Sequence, residues 1–354
     1  MRIIHCANFN SIRLKGCYLA SMGYKLNNGL IRQNHQVIQY SNRDMEKAFK
    51  TLGLKSFLTT KKHNQNFYEF CLNIQPDIII FGHADNISSK TLIKIKQTLK
   101  NVKLIEWNVD SINPILKSAR KNIQNLKKHL GIIDYLFITT ADKKLLNNLN
   151  NTKTKIYYLP NPIDTSIETS KNFTNNFPKY DIFFASSKNS LRQIGNDFIK
   201  SKNLIDEISP KIKSTKLLFP GLTSAPLNGT AYLEALSNSA MVINISAINS
   251  DYLYSSDRMA HAIGEGALVI TDIHTGFNDI FSKKELVFYH DKEDLVNKIN
   301  FFIAHPKLRQ KIAKKGYEKY VKLFNEQEIA KYILSVATNT FNPKDYPYQT
   351  ILSP

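Results

Sequence analysis

Short apolar runs alternate along this chain with longer stretches whose apolar residues recur every three or four positions. Runs of the first kind, at 2–8, Val37–Tyr40, Ile78–Phe81, Val102–Trp107, Asp134–Thr139 and Lys155–Leu159, predict buried strands. Stretches of the second kind predict helices over Tyr18–Asn34, Asp44–Lys61, Asn66–Ile74, Lys90–Lys100, Pro114–Leu130 and Ala141–Leu149. In the first of these Leu19, Met22, Leu26 and Leu30 share one side. Strand followed by helix throughout predicts a parallel sheet covered on both faces.

The pattern breaks at Pro160-Asn161-Pro162-Ile163-Asp164, where two prolines stiffen the chain. The stretch to Pro178 is polar and reads as a linker. A second series follows, with strands at Tyr180–Ala185, 215–219, Ala240–Ile245, Ala267–Ile270 and Glu285–Tyr289. Its helices are expected from Arg192 on to Ser201, then over Tyr232–Ser237, Arg258–Glu265, Asp291–Ala304, Lys307–Phe324 and 327–336. The expected organisation is therefore an α/β protein with domains at 1–165 and 180–336, a linker at 166–179 and a tail at 337–354. A chain of 354 residues exceeds one ordinary core, which also favours two domains.

Candidate chemistry concentrates in Tyr254–Asp272, YSSDRMAHAIGEGALVITD. A polar turn (Ser255, Ser256, Asp257) can cap a short helix. The free amides and partial positive charge of a helix start suit a phosphate or diphosphate, and Arg258 adds a bidentate cation. After Gly266 the strand ends in Thr271 and Asp272, at the sheet edge where open α/β folds hold ligands. Lys188 and Arg192 lie four apart after a strand, so on a helix they would share a face and clamp the same anion.

The block R-x-x-H-A-x-x-x-G-A-L-V-I-T-D over Arg258–Asp272 resembles the donor-binding segment of GT-B glycosyltransferases, most closely CgeB-like and other family-1-type bacterial enzymes. Two further pieces are similar to that family: NGLIRQNHQVIQYSNRD, where Asn34 replaces the usual glycine before His35, and the LPNPID turn at 159–164. The resemblance implies two Rossmann-like domains facing each other across a cleft, the second binding a nucleotide sugar. It implies that Arg258 sits near the diphosphate. The acidic residue that usually contacts ribose or sugar hydroxyls three positions later is His261 here, and Glu265, one turn on, is its substitute. It also implies that the acceptor and the catalytic base come from first-domain loops. Asp110, with His83 second, fits a base that deprotonates the acceptor hydroxyl. Asn10, Arg13 and Gly16 in the first loop are acceptor-side candidates.

Composition narrows the partners. The formal charge is +19 and the pI near 9.6, a balance that calls for an anionic partner. Part of it reflects a chain rich in Lys, Asn and Ile together. With Lys307, Lys311, Lys314, Lys315 and Lys322 on one helix, the charge suggests an anionic membrane surface and a lipid-linked or other cell-envelope acceptor such as a lipopolysaccharide precursor. Scattered Cys6, Cys17 and Cys71, no secretory h-region and no membrane-length apolar run predict a cytoplasmic enzyme at the inner face of the plasma membrane. There is no DxD in a strand–loop context and no metal-spaced His or Cys, so neither a metal nor another cofactor is expected. One rival is a GT-B-like nucleotide-sugar epimerase, which would alter its nucleotide sugar without an acceptor. The other is a basic nucleic-acid-binding protein, for which the chain offers no helix-turn-helix or aromatic RNA motif.

Overall fold

The computed structural model describes residues 1–14, 16–51, 56–149 and 153–352. Part of the expected helix Asp44–Lys61 (52–55), Lys15 of the first loop and the last two residues of the tail lie outside these. The chain divides into two compact units, Met1–Pro160 with Glu326–Pro354, and Asn161–Asn325.

The first unit is built on a parallel six-stranded sheet. Its strands are β1 (Arg2–Ala7), β2 (Gln36–Ser41), β3 (Ile78–Gly82), β4 (Lys103–Asn108), β5 (Tyr135–Ile138) and β6 (Lys155–Tyr158), in the order β2-β1-β3-β4-β5-β6. The central strand β3, IIIFG, is buried at every position, because helices cover both faces of a parallel sheet. The edge strand β2 keeps only Tyr40 buried. The connections run through α1 (Met22–Arg32), α2 (Asn42–Thr51), α3 (Ser56–Ile74), α4 (Ser89–Thr98) and α5 (Lys117–His129). Helix α3 is continuous, where the sequence pattern suggested a break between Lys61 and Asn66. The expected helix at Ala141–Leu149 is a 3-10 turn over Lys143–Leu149. Asn34 takes the left-handed conformation (φ 58°) that its place before His35 calls for.

Gly82 closes β3 directly under Trp107. A Cβ there would lie 1.9 Å from the indole Cζ2. The ring is held by its own Nε1, which donates to His5 Nε2 at 3.3 Å. Burial pulls the His5 pKa down to about 4, against the Asn27 side chain, which acts to raise it, so the ring is neutral and can accept. Gly82→Ala is therefore expected to cost about 1–3 kcal/mol through overpacking. In a thermal melt this lowers the midpoint by several degrees; an unchanged midpoint would mean the indole yields freely.

The second unit carries β7 (Tyr180–Phe183), β8 (Leu191–Ile194), β9 (Asp197–Lys200), β10 (Leu217–Leu218), β11 (Ser239–Asn244), β12 (Leu268–Asp272) and β13 (Val287–Tyr289). Five of them form a parallel sheet in the order β10-β7-β11-β12-β13. Its helices are α6 (Ser201–Ile208), α7 (Thr230–Ser237), α8 (Asp257–Gly264), α9 (Lys292–Ala304) and α10 (Pro306–Phe324). Ile182, Met241, Ile243, Leu268, Ile270 and Ile299 centre the core.

Three expectations are corrected here. Arg192–Ser201 is not a helix: β8 and β9 pair antiparallel around Gly195-Asn196. Gly195 supplies the positive φ (+55°) that a two-residue hairpin turn needs. Lys188 and Arg192 therefore share no helical face. The expected linker at 166–179 is packed into the second unit, where Glu168 and Asn172 are buried and Asn172 N donates to Glu265 O at 2.9 Å. Finally, residues 327–336 do not belong to the second unit. Helix α11 (Glu326–Ala337) packs on α1 of the first unit.

Gly29 makes that packing possible, since a Cβ there would fall 2.0 Å from the Glu326 carbonyl oxygen. Arg32 Nη1 reaches Glu326 Oε1 at 2.5 Å, and Tyr332 Oη donates to Tyr158 O at 3.0 Å. The tail then runs along β6: Tyr158 N donates to Thr350 O and Leu352 N to Ile156 O. The outer edge of the sheet is thereby covered rather than left as an open template. Among the described residues no helix is long and apolar enough to cross a membrane.

Candidate functional site

In the second unit the candidate residues gather at the carboxyl ends of β7, β11 and β12. Ser256 caps α8: its Oγ accepts from Met259 N at 3.3 Å and donates to Asn244 Oδ1 at 3.0 Å. Asn244 Nδ2 in turn donates to Thr271 Oγ1 at 3.1 Å, so two strand ends fix the helix start. Ser255 is buried; its Oγ accepts from Asn161 N and its carbonyl from Asn161 Nδ2. Exposed Asp257 turns back and accepts Arg258 N at 2.8 Å. Two first-turn amides are thus already engaged, and the helix start offers an anion less than the sequence suggested.

The guanidiniums offer more. Arg192, on β8, is buried, and its Nη2 donates to Ser186 Oγ at 2.8 Å. Arg258 Nη2 donates to Ile245 O at 3.2 Å. The Nε of each is buried without a partner, and among the described residues neither arginine has a carboxylate within ion-pair distance. Burial first and the Arg258 charge second draw the Arg192 pKa down to about 9, partly offset by Tyr254. Arg192 is still a cation at neutral pH. Two mutually repelling cations with spare donors have the chemistry to take an anion, because a buried orphan donor costs about 1–3 kcal/mol until something accepts from it. Lys188 lies exposed on the loop after β7.

The remaining donor-side candidates are engaged inside the unit. His261 is buried with Nδ1 at 2.5 Å from Glu168 Oε1, and its ring meets Tyr232 edge-on. Glu265 accepts Ser170 N at 3.0 Å. Gly266 has φ +78°, and a Cβ would meet Asn172 N at 2.7 Å. Asp272 is buried; its Oδ2 takes Gly195 N and Asn249 Nδ2, tying the β8–β9 turn to the sheet.

In the first unit His83 and Asp110 follow β3 and β4, and the structure brings them together: His83 Nδ1 lies 3.6 Å from Asp110 Oδ2. That is too long for a hydrogen bond but within ion-pair range. Asp110 is mostly exposed, at 62%, while His83 is half-buried against Trp107. His83 holds a left-handed backbone (φ 52°), and Asn42 Nδ2 donates to its carbonyl at 3.0 Å. They border a pocket of about 190 Å³ together with Glu106, Asn108, Ser118 and Asn122. In the first loop Asn10 is buried with φ 54° and donates to Asn8 O. The Asp44 carboxylate gathers the amides of Ser11, Ile12 and Arg13. Arg13 itself is exposed, and Gly16 has φ +78° with open space about it. Among the described residues no three His, Cys, Asp or Glu side chains converge as a metal site would need.

Comparison with known proteins agrees with this layout. The chain is similar in structure to sucrose-phosphate synthase from Thermosynechococcus elongatus, with a TM-score of 0.61 at 13% identity over 96% of this chain and 99% of that one. It is similar to HepE of Anabaena, solved with UDP-glucose (TM-score 0.60, 13% identity, 96% and 100% covered). A glycosyltransferase from Rickettsia africae gives the same TM-score of 0.60 at 13% identity, with 96% and 98% covered. No curated protein matches the chain in sequence. These likenesses give the fold; residues 214–335 match the glycosyl transferase-like family model. The chain has the GT-B fold.

The matched segment contains Arg258 and α8, whereas Arg192 lies outside it. Sequence reasoning missed Glu168, the partner of His261, because it sits in a stretch that looks like linker. It also missed Glu106 and His129. His129 Nδ1 is 2.8 Å from Glu106 Oε2 and its Nε2 3.0 Å from Ile87 O, both partners being acceptors. Burial acts to lower the His129 pKa, but the Glu106 charge and these hydrogen bonds outweigh it and raise it. Burial at i and i+3 on an otherwise Lys-rich helix (Ile123, Leu126, His129) was the available signal.

Proposed function

We propose that this chain is a glycosyltransferase that moves a sugar from a nucleotide diphosphate donor to a hydroxyl of a cell-envelope glycan or lipid-linked precursor. The observation that carries the donor assignment is the pair of arginines, buried Arg192 and half-buried Arg258, each with a buried unpartnered Nε and no carboxylate of its own. A diphosphate neutralises both and accepts from the orphaned Nε groups. HepE, a structural relative, was solved with UDP-glucose, which makes uridine diphosphate sugars the first donors to try.

In the transfer, the base removes the acceptor hydroxyl proton, the new O–C1 bond forms, and the C1–O bond to the diphosphate breaks. The leaving diphosphate gains negative charge, and the arginine pair stabilises it. Asp110 and His83 are the base pair, one holding the proton and the other orienting and balancing it. The basic face of α10 supports an acceptor near anionic lipid. Its lysines Lys307, Lys311, Lys314, Lys315 and Lys322 are exposed, while Ile312, Tyr320 and Phe324 are buried in the core.

The test is UDP release from a panel of UDP-sugars, with and without extracted envelope glycans. Acceptor-dependent release supports transfer. A sugar whose stereochemistry changes with no acceptor present would replace transfer by epimerisation.

A further inference from the structure

The pocket beside His83 and Asp110 has a size and lining that narrow the acceptor, given the transfer reading above. At about 190 Å³ it is smaller than the roughly 300–1,000 Å³ of drug-sized sites, so it admits one ring and no acyl chain. Its inner wall is polar: Glu106 and Asn108 are 5% and 3% exposed. Glu106 Oε2 is engaged by His129, and Asn108 Nδ2 donates to Asp110 O at 2.7 Å. A carboxylate with lone pairs to spare and an amide carbonyl are acceptors that suit hydroxyl donors.

Charge sharpens the choice. Glu106 is balanced by His129, and Asp85, at the far rim, by Arg43. What remains is Asp110 beside His83, with exposed Lys121 at the mouth. The chain carries +19, yet of the two cations lining this pocket Arg43 is ion-paired with Asp85 and Lys121 is exposed. A uronate or sugar phosphate would bring its charge against Asp110, the carboxylate of this wall with no cation other than the His83 ring beside it. We infer that this pocket receives one uncharged sugar ring of the acceptor, recognised through its free hydroxyls, and rejects anionic sugars.

The experiment is saturation-transfer NMR on the full chain with UDP present. The probes are methyl glycosides of glucose, galactose and N-acetylglucosamine, set against methyl glucuronide and glucose 6-phosphate. At least one neutral glycoside is expected to bind, with the anionic probes about tenfold weaker or silent. Ser118→Trp, an exposed rim position on α5, fills the pocket and should abolish the signal while UDP binding persists. If that variant does not melt cooperatively, Asn122→Leu at the same rim gives the reading. The inference fails if anionic probes bind as well as neutral ones, if the folded rim variants keep the signal, or if no neutral glycoside binds while UDP does. Absence of UDP binding to the unaltered chain would instead overturn the transfer reading, and the pocket assignment with it.

Discussion

Replacing Arg258 with alanine is expected to remove UDP binding from the range of calorimetry. A charge-assisted hydrogen bond contributes about 1.5–3 kcal/mol, so loss of a bidentate contact weakens affinity by two orders of magnitude or more. Arg258→Lys should recover part of it, since an ammonium keeps the charge and loses the fork. A second readout separates this from general damage. Without ligand, Arg258 and Arg192 repel each other and each leaves a buried Nε unmet. Removing Arg258 relieves that repulsion, so the melting temperature of the unliganded protein should hold or rise while the UDP-induced increase disappears. UDP affinity equal to that of the original protein would refute the assigned site.

The second large effect concerns Asp110 and His83. Asp110→Asn and His83→Ala are each expected to lower turnover by about 10²–10⁴-fold, the usual contribution of a positioned acid–base group. UDP affinity should stay as it was, because neither residue belongs to the arginine site. The double variant should be little worse than either single one if the two act as a unit. His83 also tests the backbone: at φ 52°, glycine is accommodated where alanine is strained. His83→Gly should therefore be as inactive as His83→Ala but more stable to heat. Full turnover in Asp110→Asn would move the base role elsewhere.

The fold was legible because its cues are local. Runs such as IIIF at 78–81 and LVIT at 268–271 are buried at every position, and their flanking polar turns mark the carboxyl edges. Arg258 and the Ser256 cap could be read directly, since cap, helix and strand are adjacent in sequence. The hairpin at Leu191–Lys200 was hidden because Lys188 and Arg192 also fit a helical spacing, and the Gly195-Asn196 turn was passed over. The pairing of His261 with Glu168 spans 93 residues, and no periodicity can reveal it. The same holds for His83 with Asp110: each could be placed after a strand, but their meeting depends on β3 lying next to β4 in the sheet. Asp257 was misjudged for a different reason. A carboxylate at a helix start satisfies the very amides that a phosphate would use.

The position of Glu326–Pro354 bears on how the molecule is made. During synthesis the nascent polypeptide releases 160 residues whose outer strand has no cover and whose first helix lacks its neighbour. The continuous segment Asn161–Asn325 emerges next and has every piece it requires, so it should mature earlier on the ribosome. The first unit must wait until Glu326–Pro354 has been made before that segment can dock. Truncation ahead of Glu326 would thus damage the unit whose sheet is made earlier.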